Sequence, residues 1–323
     1  MDHLQQQRRV KLTLHYDGGG FHGWQVQPGA RTVQGELEAA LSRLANEPVG
    51  VLGAGRTDAG VHATGQVAAA LMPERWAPAE VRRALNAILA SDIWVAEAEE
   101  VPVDFHARYD ATAREYEYRV GTEEHCRSPF LRPYCWPLSE PLAADVLAET
   151  AQALVGEHSF RAYAKTGQPE RGERCTVAVS SWTPWEAGLL YRVRADRFLH
   201  HMVRYLVGTM VDAARGRRAA REVAALLDGG PAAEALETSP PAPAEGLYLT
   251  RVYYGAPGGW RRRAHGRAQR MPAPREAEAR RAPGAAREAS DVASPAAGED
   301  ESLRPGSAAG AYDHRPLEDG NEQ

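Results

Sequence analysis

Beyond about Gly255 the chain carries almost none of the large apolar residues from which a core is built. The stretch WRRRAHGRAQRMPAPREAEARRAPGAAREASDVASPAAGEDESLRPGSAAGAYDHRPLEDGNEQ is dominated by Ala, Pro, Gly, Arg and Glu and shows no sustained periodicity. Such a segment cannot offset the entropy lost on ordering its backbone, so residues 255–323 are expected to form a disordered tail. Residues 256–323 hold 11 arginines and 11 acidic residues and are neutral as a whole, with a basic start at Arg261, Arg262 and Arg263 and an acidic end. A solvated tail accounts for that composition without a partner. The fold is thereby confined to the first 254 residues.

Those residues alternate between two hydrophobic periods. RVKLTLHYD switches apolar and polar residues as a half-buried strand does. Thr32 is placed to cap a helix whose apolar positions Val33, Leu37, Leu41 and Leu44 recur at helical spacing. TGQVAAALM and IWVAEAEEV read as strands, and between them Pro78 opens a helix that runs to about Leu89. A second series follows: strand AREYEYRV, helix PLAADVLAETAQALVG, strands CTVAVSSWTPW and LLYRVRADRF, helices FLHHMVRYLVGTMVDAARG and REVAALLD, and a last strand GLYLTRVYY. The proline-rich ETSPPAPAEG is expected to be a loop. Two halves of similar order predict an α+β fold of two similar lobes, with mixed or antiparallel sheets flanked by helices. The lobes are expected over residues 1–108 and 109–254, with a cleft between them as the place for a site.

Bulk properties exclude several classes. No apolar run approaches the roughly 20 residues a membrane span requires, and the polar MDHLQQQRRVKLTLHYD lacks the apolar core of a secretory leader. A cytoplasmic protein without a membrane partner is expected. Cys126, Cys135 and Cys175 lack the paired short spacing of a zinc site and are too few for a disulfide framework, so they read as ordinary thiols. The net charge of −5 does not announce a nucleic-acid binder, but binding depends on where the cations lie. Only Lys11 and Lys165 among the 38 basic residues are lysines; the arginines offer planar forks to phosphates and flat faces to bases.

The stretch from Gly53 to Ala63, GAGRTDAGVHA, carries the clearest chemical signal. Glycines at 53, 55 and 60 bracket a short polar core and allow unusual backbone angles or close approach of a ligand. The stretch follows a short apolar segment and precedes a strand, as a loop on a rigid scaffold does. Arg56 and Asp58, two residues apart, point to one side of an extended backbone. An arginine nearby keeps a carboxylate ionised, able to act as nucleophile or base. The same residues are also compatible with a structural turn in which Asp satisfies backbone amides. A phosphate cradle of the P-loop kind lacks its lysine.

The full string resembles the signature of the tRNA pseudouridine synthase A family. Further segments resemble that family in the same order: YDGGGFHGWQ, TVQGELEAAL, DFHARYDATAREYEYRV, FLHHMVRYLVGTM and AEGLYLTRVYY, so that the likeness spans roughly residues 8–254. The resemblance implies the pseudouridine-synthase type of α+β fold, with the loop in the N-terminal lobe. It also implies conversion of uridine to pseudouridine at positions 38, 39 and/or 40 of the tRNA anticodon stem-loop by a homodimer. Carried onto this chain, it implies Asp58 as nucleophile, Tyr116 as the active-site aromatic residue and base, Arg204 as the ion-pair partner of Asp58, and Arg56 as the residue that helps extrude the target base. The expected substrate contacts are Tyr116, Arg56, His62 and His201. No cofactor is implied, because an isomerisation neither gains nor loses atoms.

Residue patterns leave several of these points open. Tyr116 and Tyr118 share a strand face, and either fits a core tyrosine. On a helix Arg204 would lie in a polar stripe with His200, His201 and Gly208, facing a cleft or solvent. Neighbouring histidines on a helix point about 100° apart and make a poor metal pair, so no metal is expected. Arg192, Arg194, Arg197, Arg215, Arg217 and Arg218 are candidate phosphate contacts or ordinary surface arginines. Two rival readings remain: a non-catalytic RNA-binding protein on the same scaffold, and a glycoside hydrolase, which needs a second acid that no residue here marks.

Overall fold

The computed structural model of the chain describes residues 7–165, 172–227 and 236–255. Apart from Gly255, the expected disordered tail lies outside the described residues. Among these residues ten strands are present: β1 (Gln7–Tyr16), β2 (Val51–Gly53), β3 (His62–Pro73), β4 (Ile93–Val101), β5 (Ala111–Gly121), β6 (Trp136–Pro137), β7 (Gly156–Ser159), β8 (Arg174–Trp185), β9 (Gly188–Ala195) and β10 (Leu247–Tyr254). Five α-helices accompany them among the described residues: α1 (Val33–Ala45), α2 (Pro78–Ile88), α3 (Ala144–Gln152), α4 (Met202–Ala214) and α5 (Ala220–Ala225).

The strands form one mixed sheet in the order β4-β1-β3-β10-β5-β9-β8-β7, with β2 on β3 and β6 on β5. Among the described residues only β3–β10 and β5–β6 pair in parallel. Strands from the first hundred residues fill one half and β5, β9, β8 and β7 the other, while β10 is inserted between them. The α+β class expected from the alternating periods is the one observed.

Alternation decides what each strand buries. Val10, Leu12 and Leu14 of β1 and Ala68, Ala70 and Met72 of β3 join Tyr118, Val193 and Leu249 in one core. Onto that core all five helices pack, through Val33, Leu37 and Leu41 of α1, Val81 and Leu85 of α2, Leu147 of α3, Leu206, Val207, Met210 and Val211 of α4, and Val223 of α5. Each such side chain contributes about 1.5–3 kcal/mol on burial. Val67 and Ala69 point the other way and meet Phe105, Ala107 and Ala54 in a smaller cluster on the second face.

Thr32 caps α1 as expected, its hydroxyl accepting from Gly35 N, and Pro78 opens α2. The expected helix 141–156 is shorter, because Gly156 already begins β7 and pairs with β8. The helix expected from Phe198 starts only at Met202.

Candidate active site

Residues 54–61 link β2 to β3 at the middle of the sheet. Their backbone is fixed from several sides. Ala54 N donates to Val67 O (2.8 Å), Trp24 N to Thr57 O (3.0 Å) and Val61 N to Asp58 O (3.2 Å). Fully buried Gln66 donates to Gly55 O (2.8 Å), and the Arg114 guanidinium donates to Ala54 O (2.9 Å). The Thr57 hydroxyl is turned inward onto Tyr16 Oη at 2.8 Å. Gly60 has φ 79°, which an L side chain adopts only with strain. With Thr57 buried between them, Arg56 is exposed and Asp58 partly so. Arg56 has no ion pair among the described residues.

Three nitrogens surround the Asp58 carboxylate. His200 Nε2 lies 3.6 Å from Oδ1, His201 Nε2 3.3 Å from Oδ2, and Arg204 Nη1 3.7 Å from Oδ2. Arg204 is aimed by its own backbone contacts: Nε donates to Ala242 O (2.7 Å), and Ala242 N donates back to Arg204 O (2.9 Å). The segment carrying Ala242 presses close to α4, since a Cβ on Gly208 would stand 2.2 Å from Pro240 O.

The helical stripe expected for His200, His201 and Arg204 needs correction. His201 has φ 62° and precedes the helix, with Met202 N closing a turn onto Leu199 O (3.2 Å). That left-handed residue, rather than helical periodicity, brings both rings to one carboxylate, their centroids 4.1 Å apart. The 100° argument against a histidine pair therefore does not apply. Asp58, His200 and His201 present ligand atoms within 4.8 Å of one another, a donor set that a zinc-like cation accepts. The Arg204 cation on the same carboxylate opposes that occupant. Burial holds the His201 imidazole below its ordinary pKa; Asp58 pulls it up, and His200, Arg204 and Lys165 push it down.

Tyr116 sits on β5 between Val193 of β9 and Leu249 of β10, its ring edge-on to Phe198 at 4.9 Å. Burial pushes its hydroxyl up to about 12; the Arg114 charge opposes this and the Asp58 charge adds to it. Tyr118 shares the face, but its hydroxyl donates to Pro243 O at 2.7 Å inside the core. The two tyrosines that periodicity left equivalent are thus distinct.

His62 does not join this group. It is buried and stacked on Tyr248 at 4.8 Å; Nδ1 accepts from Gly18 N (3.0 Å), which leaves Nε2 to donate to Pro133 O (3.2 Å). With both nitrogens engaged, it braces the start of β3. The six candidate phosphate-binding arginines are also engaged. Arg192 and Arg194 flank the core residue Val193 and so lie on the face opposite Tyr116, where Arg192 pairs with Glu117 (2.8 Å) and Arg194 covers the Tyr253 ring. Arg197 donates to Gly172 O, Arg215 pairs with Glu140, Arg217 with Asp212 and Arg218 with Glu222. All three cysteines are buried thiols, with Cys135 pushed up to about 11 by burial.

Sequence reading passed over His200 as a neighbour of Asp58, and Gln66 and Arg114 as braces of the loop. Gln66 was readable as a lone amide in the apolar run GQVAAALM. Nothing in the sequence marks the path of Arg114 to Ala54.

A family model described as tRNA pseudouridine synthase matches residues 13–110 and 150–255, which include Arg56, Asp58, His201 and Arg204 but not Tyr116. The mixed sheet with its flanking helices is the α+β fold of an isomerase of the pseudouridine synthase type. The chain belongs to the tRNA pseudouridine synthase family. Among curated relatives, tRNA pseudouridine synthase A of Solibacter usitatus is 42% identical over 250 residues, covering 76% of this chain and 100% of that protein. The proteins of the same name from Moorella thermoacetica and Bacillus subtilis are 44% and 40% identical over 255 and 253 residues, covering 76% of this chain and 99% of each.

Proposed function

We propose that this chain isomerises uridine to pseudouridine in tRNA, with Asp58 as the catalytic carboxylate. The observation that carries the reading is the setting of Asp58: a partly exposed carboxylate on a pinned loop, 3.7 Å from Arg204, whose charge reaches the Tyr116 hydroxyl. In the reaction the C1′–N1 bond breaks, the uracil turns, and a C1′–C5 bond forms; C5 gives up its proton and N1 ends protonated. Asp58 attacks C6 or C1′, or removes a ribose proton; the arrangement is compatible with each route. Arg204 holds the carboxylate in place, and the Tyr116 ring walls the pocket in which the loosened base turns. Tyr116 also takes part in removal of the C5 proton.

A base within a stem must leave its stack, at a cost of a few kcal/mol. We assign Arg56 to fill the gap and His201 to contact the extruded nucleotide, a reading supported by the exposure of Arg56 and by the 3.3 Å between His201 and Asp58. We assign the anticodon stem-loop, positions 38, 39 and/or 40, as the target, a cytoplasmic homodimer as the working form, and residues 1–108 and 109–254 as its two lobes, with the catalytic cleft between them. Support for these comes from the ordered motif resemblance. Light scattering checks the dimer through a mass twice that of the chain.

Release of tritium from tRNA labelled at uridine C5 tests the activity. Wild-type protein is expected to release label and Asp58→Asn to release none. Retained release by Asp58→Asn removes Asp58 from its role, whereas RNA binding without release by wild type favours a non-catalytic binder.

A further inference from the structure

Arg114 stands on β5 two residues before Tyr116, on the same strand face. Its guanidinium spans backbone carbonyls from four places: Nη2 donates to Ala54 O (2.9 Å) and Arg108 O (2.6 Å), and Nη1 to Ala111 O and Asp196 O (both 3.3 Å). Ala54 opens the loop that carries Asp58. Asp196 opens the segment that leads to His200 and His201, and it is itself fixed to Thr176 through its backbone N–H (3.1 Å) and its carboxylate (2.9 Å). One planar, five-donor fork therefore reaches both strands of chain whose ends meet at the catalytic carboxylate. A lysine, with a single point of attachment, cannot bridge them in the same way.

We propose that Arg114 is a positioning residue that sets Asp58 opposite His200, His201 and Arg204 by tying the Asp58 loop to the segment entering α4. Its effect on catalysis rests on the proposed isomerase reading; its effect on geometry does not. The geometry has a reporter in His201, which faces Asp58 on the loop, its neighbour His200, Arg204 on α4 and Lys165 from the turn after Tyr163. Asp58 raises the His201 pKa while the other three lower it, so withdrawal of the carboxylate makes His201 titrate lower.

Full-length wild type, Arg114→Met and Arg114→Lys are compared by proton NMR titration of His201 and by single-turnover tritium release from C5-labelled tRNA, with tRNA affinity measured separately. For Arg114→Met the expected result is a lower His201 titration and a rate reduced about 10- to 100-fold, as for a catalytic group displaced by about an ångström, with tRNA affinity unchanged. Arg114→Lys is expected to recover part of the rate. An unshifted His201 together with a full rate per folded molecule overturns the proposal, as does a rate that falls only in proportion to lost tRNA affinity. Should wild type release no label, the isomerase reading fails while His201 still decides the role of Arg114. If Arg114→Met does not fold, both readouts are taken on Arg114→Lys, where a titration and rate equal to wild type overturn the assignment.

Discussion

Replacing Arg204 by methionine keeps most of its bulk and removes two things at once, the charge 3.7 Å from Asp58 and the donor to Ala242 O. Breaking a buried pair costs about 3–5 kcal/mol, but Asp58 keeps 27% of its side chain in solvent, so about 1–2 kcal/mol is expected here. Turnover should fall much further than that stability loss accounts for. Urea denaturation and label release on the same preparation check both; a variant with wild-type turnover removes Arg204 from the site. Tyr116→Phe separates ring from hydroxyl. Among the described residues that hydroxyl has no hydrogen-bond partner, so the variant should keep its stability within about 0.5 kcal/mol. The rate is expected to fall about 10²- to 10⁴-fold if the hydroxyl moves the C5 proton, read as label release at saturating tRNA. At this scale the loop that carries Asp58, the proposed catalytic carboxylate, was legible, because it is a short and distinctive string. The distinction between Tyr116 and Tyr118 was not, since it depends on Pro243, a residue 125 positions from Tyr118.

At the level of elements, caps made boundaries readable where they exist. Thr32 before VQGELEAAL and Pro78 before AEVRRAL each carry a local chemical reason for a helix to begin, and α1 and α2 begin there. Before α4 the sequence FLHHMVR offers no such residue. The left-handed turn at His201 has no local signal in the sequence, so periodicity ran the helix too far back, to Phe198. This turn yields a prediction with two opposite signs. His201→Gly relieves a positive φ that costs an L residue about 1–2 kcal/mol, so stability should hold or rise despite the added chain entropy. Label release should fall, because the ring 3.3 Å from Asp58 is gone. A variant both less stable and fully active would show that the turn carries no strain and the ring no role.

Across the whole molecule, the sheet order could not be read ahead of the structure. Pairing of β10 between β3 and β5, parallel to one and antiparallel to the other, is decided by contacts between residues 62–63 and 248–249 that no local pattern encodes. The packed whole has one collective titration. His15 on β1, His62 on β3, His106 in the loop after β4 and His201 before α4 are all held below the ordinary 6.5, in each case chiefly by burial. Between neutral and mildly acid pH the unfolded chain therefore takes up protons before the folded one does, and stability rises with pH across that window. Put the other way, the stability present above about pH 6.5 is lost as the pH falls through the lowered folded values. Asp92, held low by Arg31, does not enter, since its window lies below the ordinary carboxylate value of 3.8. The urea midpoint should drop on going from about pH 7.5 to about pH 5.5. His62 should contribute much of the slope, because it is buried and its Nδ1, the nitrogen that would take the second proton, already accepts from Gly18 N while Nε2 faces Pro133 O. His62→Gln should lower the midpoint at the higher pH, through lost hydrogen bonds, and flatten its dependence on pH. A wild-type midpoint that is level or higher at the acid end would mean that Asp17 and Asp58, the carboxylates nearest His62 and His201, outweigh burial.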